Sequence, residues 1–507
     1  MSIAAWDAYP DGGIQVGAFP ADLAELYLRP PGALEAWPPF QIRYLSKYLR
    51  LLNCQTVLIE KHYVDRDYIE DSALFYARSL RNYPNYCERL HFFREQFDAA
   101  RWREFITDTT RRKQSEAYLQ DQYLGFSVAR PLPGSRVGRT VVQTLGPVND
   151  DGDERIFAGT REYEVNLAGF NLSIRGLAFQ QQDRGVSACA TTALWSSLHF
   201  VAPGESLALP TPAQITQAAC RYLLYTGRPL PSEGLSIEQM CEAIRASGLA
   251  PLVVIVQDPP HARAHLMAYL SSGFPPVLAI RGIDTSLGHA VCSVGLKVKQ
   301  GGLLPPEAGV SFREAASAVR GIYVHDDRLG PYAVADLADH QRKGDDRTYT
   351  AMSIRFPTEP EEYLERSWIQ ALIVPVPVKL RLTVARLRVL AFAIAQALGA
   401  SIMPEYNGTI TLNCRYRLGS HYRQDAATFG LSADGLYRIA VDLVLSRFVG
   451  VIEFTTPDGP LFDVLVDATE TEANPSVLAC VRRVALPEKY TSVFSALAGQ
   501  LGAPSVV

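Results

Sequence analysis

The sequence predicts an α+β protein of three successive units, and three observations carry that expectation. Its 507 residues exceed what one hydrophobic core organises, and at about 150 residues per domain they suggest roughly three. Hydrophobic residues at 48% and charged residues at 20% make a globular composition, neither disordered nor fibrous. Stretches with the period of amphipathic helices are interspersed with short runs of period two, so helices and strands are expected in every third of the chain. The expected units are an accessory α+β unit over 1–160, a central unit over 161–342 and a second accessory α+β unit over 343–507.

In the first unit Gln41–Leu52 reads as an amphipathic helix, Thr56–Tyr63 as a strand, and Asp65–Leu80 as a second helix with aromatics on one side. Tyr123–Ala129 reads as a strand, stopped by Pro131, Pro133 and Gly134. The acidic stretch Asn149–Glu154 suits a surface turn and lacks the length and ligand spacing of a calcium loop. Tyr163–Phe179 alternates as two strands would. The polar stretches Lys343–Arg347 and Pro357–Glu362 suit a boundary. Beyond them Thr383–Leu398 is a strong helix pattern, and Val449–Val466 reads as two strands joined by a Pro-Asp-Gly turn.

Lys and Arg number 49 against 53 Asp and Glu, a net charge of −4 that weighs against a nucleic-acid coat or a polybasic membrane binder. The longest apolar stretch, around Val389–Ala400, falls well short of the roughly 20 residues a membrane span needs. The first residues carry no basic region followed by an apolar run, so a soluble cytoplasmic protein is expected. The eight cysteines include no CxxC pair, which argues against a zinc ribbon, a thioredoxin-type site or a disulfide framework. His261 and His265 have the spacing of a helical metal pair but no accompanying acidic HExxH pattern, and no phosphate-binding glycine loop occurs. Neither a metal nor a cofactor is expected.

Cys189 stands apart from the other thiols. In Gln180–Phe200 (QQQDRGVSACATTALWSSLHF), Ser187 is a fair N-cap. Ala190, Ala193, Leu194, Ser197 and Leu198 then recur on one small apolar face suited to packing on a sheet. Cys189 falls in the first turn, where unpaired backbone N–H groups and the positive end of the helix dipole favour a thiolate. The same N–H groups point where an acyl oxyanion would form, and an upstream glutamine amide could supply a second donor. The plainer alternative is a small residue packing the helix start.

Gly288–Leu296 (GHAVCSVGL) reads as a strand opened by His289. A polar insertion, Lys297–Arg320, precedes a second short strand, Gly321–Asp327 (GIYVHDD). If the two strands pair antiparallel, the start of the first lies beside the end of the second. His289 then meets Asp326 or Asp327, and a carboxylate there would orient the imidazole towards a thiol. Alternation puts Ile322, Val324 and Asp326 on an inward face and Tyr323, His325 and Asp327 on a wetter one, favouring Asp326.

At these residues the central unit resembles the papain-like cysteine peptidases, and among them the C39-like family related to bacteriocin-leader peptidases. The shared chain order is glutamine, cysteine on a helix, histidine opening a strand, then an acid or amide closing the next strand. Gly234–Gly248 looks like that family's following helix and Gly273–Ile280 like the strand before the histidine. The resemblance implies a Cys189 nucleophile, a His289 base, an Asp326 orienter and a Gln182 oxyanion donor. The family's glutamine usually sits six residues before the cysteine, where this chain has Asp183; Gln182 is the nearest candidate, with Gln181 the runner-up and Gln180 a third. Asp326-Asp327 stands where Asp-Pro is usual, and Ala190 follows the cysteine where Gly is common.

The activity implied is peptide-bond cleavage through a thioester, with a peptide or protein substrate. Flanking units would direct substrate or respond to a regulatory protein. Two alternatives use the same residues: a transglutaminase-, deamidase- or acyltransferase-like thiol enzyme, or an inactive papain-like scaffold that binds a partner.

Overall fold

A computed structural model describes residues 7–8, 13–27, 40–132, 134–148, 152–183, 185, 188–221, 234–285, 287–306, 309–341, 347–356, 366–471 and 476–507. It is an α+β structure built mainly on antiparallel sheets. The stretches expected over 343–347 and 357–362, part of the 149–154 turn, and Ser187 as N-cap lie largely or wholly outside the described residues.

The first sheet runs in sequence order through Asp7–Ala8, Ile14–Ala18, Thr56–Tyr63, Cys87–Phe93, Tyr123–Ala129 and Val137–Val142. Two of these strands match the sequence reading residue for residue, because each is an apolar, β-branched run bounded by turn residues. The amphipathic helix forms over Phe40–Leu51. The next helix is shorter than expected: Asp65 caps its start through the backbone N–H groups of Asp67 and Tyr68, and the α-helix ends at Leu74. Arg161–Leu167 and Phe170–Gly176 form the separate hairpin expected from their alternation.

The central sheet is where the expected boundaries at 160 and 342 give way. Its strands follow the order Ala250–Ile255, Ser367–Val376, Val277–Gly282, Gly288–Val298, Val319–Asp326, Gly330–Gln341, Thr348–Arg355. Ala351 and Met352 then pair with Trp368 and Ser367, so six of these strands close on themselves. Glu154–Ile156 adds to the Gly288–Val298 strand. Strands from both accessory stretches thus complete the central sheet. One apolar cluster draws residues from Val16 to Ala498, across all three expected units, and a second, smaller one gathers around Tyr422, Val451 and Leu465.

The third sheet holds Ile410–Leu418, Phe448–Thr456, Gly459–Asp467, Val477–Arg482 and Ser505–Val506. Phe312–Glu314, from within the Lys297–Arg320 insertion, pairs parallel with its first strand. The insertion therefore reaches out to complete a neighbouring sheet, which explains why it exceeds a hairpin turn.

The helix Cys189–Gly204 packs on the closed strands of the central sheet, mainly on Gly288–Val298. Its burial differs from the single apolar face expected. Every residue from Ala190 to His199 is buried, Trp195 completely, because neighbouring helices and the sheet surround it. Among the described residues no helix is long and apolar enough to cross a membrane.

Candidate active site

The Cys189 helix begins from Ala188 in an extended conformation, and the alanine side chain does not cap it. Its first-turn N–H groups lack intrahelical partners, and the half-exposed Cys189 sits in that turn. Ala190 and Ala193 are buried and small, which lets the helix start lie close against the strand that carries His289.

His289 is the second residue of Gly288–Val298, and Asp326 is the last of Val319–Asp326. The strands pair antiparallel with Cys292 opposite His325, so the start of one lies beside the end of the other. His289 Nε2 lies 3.1 Å from Asp326 Oδ1 and 3.5 Å from Asp327 Oδ1. Cys189 lies close enough to the ring to favour its protonated form. Thiol, imidazole and carboxylate, read as one constellation from three separate stretches, are brought together. Burial opposes charge on the ring, but the Asp326 carboxylate, the Cys189 contact and Asp327 outweigh it and raise His289 to about 10.

The face assignment behind Asp326 needs correction. Tyr323, His325 and Asp327 are no wetter than their neighbours; all three are buried. Phe157 packs on Tyr323, while Phe179 and Tyr332 meet His325 edge-on, so both faces of this strand are covered. Burial pushes His325 down to about 3 and keeps its ring neutral. A bulge between Val324 and Asp326 breaks the alternation, which is why both adjacent aspartates reach the same imidazole.

The two aspartates differ in their donors. Asp326, fully buried, accepts at Oδ1 from the Arg328 backbone N–H at 2.9 Å and from Arg328 Nε at 3.1 Å, and at Oδ2 from Nη2 at 2.8 Å. Burial would raise its carboxyl, yet His289 and Arg328 hold it far below the usual carboxylate range. Asp327 finds no such fork. Beyond its own backbone neither oxygen meets a hydrogen-bond donor among the described residues, and burial and the Asp326 charge raise it to about 6 against the pull of His289. Arg328 also feels the negative charge that Cys189 would carry. Nothing in the sequence reading singled out Arg328. The signal available was its position two residues past Asp326, across a turn, where a side chain can fold back on the carboxylate.

The glutamines are placed by other elements. Phe179 pairs with Thr140, and the Gln181 N–H donates to Val137 O, so the chain is extended through this stretch. Gln180 and Gln182 then share one side and Gln181 takes the other. Gln181 is buried and its amide is spent on structure, donating to Gly134 O at 3.1 Å and accepting from the Val137 N–H at 3.3 Å. Gln182 is half-buried, with its carbonyl accepting from Ser135 Oγ. Gln180 is buried, and its Nε2 finds no hydrogen-bond partner among the described residues. Asp183, at the spacing usual for the family's glutamine, is buried; its Oδ1 accepts from the Gly185 N–H.

His289, Asp326 and Asp327 also bring one donor atom each within 4.8 Å of one another, a spacing that could hold a cation. Arg328 argues against that use. Its guanidinium already forks onto Asp326, placing fixed positive charge beside the position a divalent ion would take.

The Asp327–Pro331 turn is held from the first third of the chain. Gln41 Nε2 donates to Asp327 O at 2.9 Å and Tyr44 Oη to Pro331 O at 2.9 Å. A Cβ on Gly330 would stand 2.1 Å from the Tyr44 ring, so glycine is required for this approach. No family model matches the chain, and no curated protein matches its sequence.

Proposed function

We propose that this chain is a papain-like cysteine peptidase of C39-like type, acting through Cys189, His289 and Asp326. The observation that carries the reading is a single imidazole set between a thiol at a helix start and a buried, arginine-clamped carboxylate. Nucleophile, base and orienter are the three roles that covalent acyl transfer needs, and each is filled by a residue suited to it.

In the proposed reaction the Cys189 thiolate attacks a peptide carbonyl. First-turn N–H groups, with the Gln182 amide as the second donor, hold the oxyanion. His289, protonated and fixed by Asp326, delivers its proton to the leaving amine as the C–N bond breaks, leaving a thioester. It then takes a proton from water as that water attacks, and the acid product departs with the thiol regenerated. Asp326 stays ionised throughout. The first third of the chain supports the same site through Gln41 and Tyr44.

An electrophilic thiol probe, applied to the wild type and to Cys189→Ala, tests the reading. Labelling confined to Cys189, with casein or peptide-library hydrolysis lost in the variant, is expected. Equal labelling of Cys220 or Cys292 would overturn it. Mass spectra showing stable coupling to an added primary amine, without hydrolysis, would replace peptidase by acyl transfer.

A further inference from the structure

We propose that Arg328 is the positioning residue that makes Asp326, rather than Asp327, the partner of His289. The proposal rests on the thiol-enzyme reading above. Both aspartates lie within 3.5 Å of the same ring nitrogen, both are buried, and they are sequence neighbours brought to one side by a bulge. Backbone geometry alone therefore does not choose between them.

Arg328 does. Its backbone N–H, Nε and Nη2 supply three donors to Asp326, with the two side-chain donors in the fork geometry that matches a carboxylate. Among the described residues Asp327 receives nothing comparable. Two carboxylates this close do not both ionise freely, so the one with the fork keeps the negative charge and the other takes a proton more readily. The fork also fixes the rotamer of Asp326, and so the plane of the imidazole it holds. Arg328 remains one-third exposed at the rim of the site, so its removal opens a path for water rather than a sealed void.

The consequence is a coupling that a merely structural role would not produce. With Arg328 present, Asp327 is dispensable for orienting His289. With Arg328 gone, Asp326 and Asp327 become near-equivalent, and His289 comes to depend on Asp327 as well.

The test follows iodoacetamide alkylation of Cys189 at neutral pH by mass spectrometry, so no substrate is needed. The proteins are wild type, Asp326→Asn, Asp327→Asn, Arg328→Ala, and Arg328→Ala combined with Asp327→Asn. Asp327→Asn is expected to change the rate by less than about threefold in the wild-type background and by at least about fivefold more in the Arg328→Ala background, as coupled members of one network do. Arg328→Lys keeps the charge and breaks only the fork; it carries the same comparison if the alanine variant does not fold. Selective Cys189 labelling that depends on Asp326, with the same Asp327→Asn factor in both backgrounds, would overturn the Arg328 assignment alone. Loss of selective Cys189 labelling in the wild type would instead overturn the thiol-enzyme reading.

Discussion

Two extended stretches carry the residues proposed to act with Cys189, and they are held in different ways. The pair Gly288–Val298 and Val319–Asp326 is positioned by its own register: strand against strand, with His289 and Asp326 meeting because an antiparallel ladder sets them side by side. The stretch Ala178–Asp183 is positioned by distant parts of the chain. Thr140 and Val137 pair with its backbone, buried Arg130 donates to Gln181 O at 2.8 Å, Ser135 donates to Gln182 O, and Asp183 hydrogen-bonds the Tyr76 hydroxyl. A ladder transmits position through local pattern. The glutamine stretch borrows its position from the first sheet, so changes there reach the proposed oxyanion donor before they reach His289.

The largest expected effect separates neighbours within the borrowed stretch. Gln182→Ala should lower kcat for peptide-library hydrolysis by about 10²–10³ with little change in KM, as loss of one oxyanion donor does. Gln181→Ala should leave kcat nearly intact and lower unfolding free energy by about 1–3 kcal/mol, because it strands the N–H of buried Val137. Denaturant melts with parallel kinetics check both. If Gln181→Ala is the one that lowers kcat, the extended side assignment fails; if neither does, Gln180, whose Nε2 has no partner among the described residues, is the next donor to remove.

On the ladder side, Asp326→Ala should reduce turnover by at least about tenfold, since a misplaced imidazole weakens general-base action worth roughly 10²–10⁴. Asp327→Ala should cost clearly less. Equal losses would mean that the arginine fork does not discriminate between them.

The smallest effect is one of stability and depends on pH. Asp327 is raised from an ordinary 3.8 to about 6, so its contribution favours the fold while it is protonated, below about pH 3.8, and is lost as pH rises through about 6. Asp327→Asn removes the ionising group. Its Tm should exceed that of the wild type at pH 7–8, and the gap should close towards pH 4. A gap that is constant with pH would show that burial of Asp327 does not govern its ionisation.

Much of the site was legible because it depends on short-range pattern. The start of the Cys189 helix, the strand opened by His289 and the strand closed by Asp326 are each written in fewer than about a dozen residues, where periodicity is a strong signal. The hairpins at 161–176 and 448–467 were legible for the same reason. Asp326 was chosen, however, on the argument that one face of its strand would be wet, and that argument does not hold. Tyr323 and His325 are covered by Phe157, Phe179 and Tyr332, residues remote in sequence or held by remote partners, and Asp327 is buried as well. Period-two alternation says which residues share a face, not what will cover it.

What the sequence determined by itself is therefore the α+β character, the elements, and the order in which thiol, base and acid occur along the chain. Each follows from interactions between residues a few positions apart. Only the tertiary structure decided that strands from both flanking stretches join the central sheet, that Gln41 and Tyr44 hold the turn beyond Asp327, and that Arg328 folds back on Asp326. The physical reason is common to all three. Strand closure, a side chain reaching a backbone carbonyl, and a guanidinium choosing one of two buried carboxylates depend on which surfaces exclude water together, and no local period encodes that.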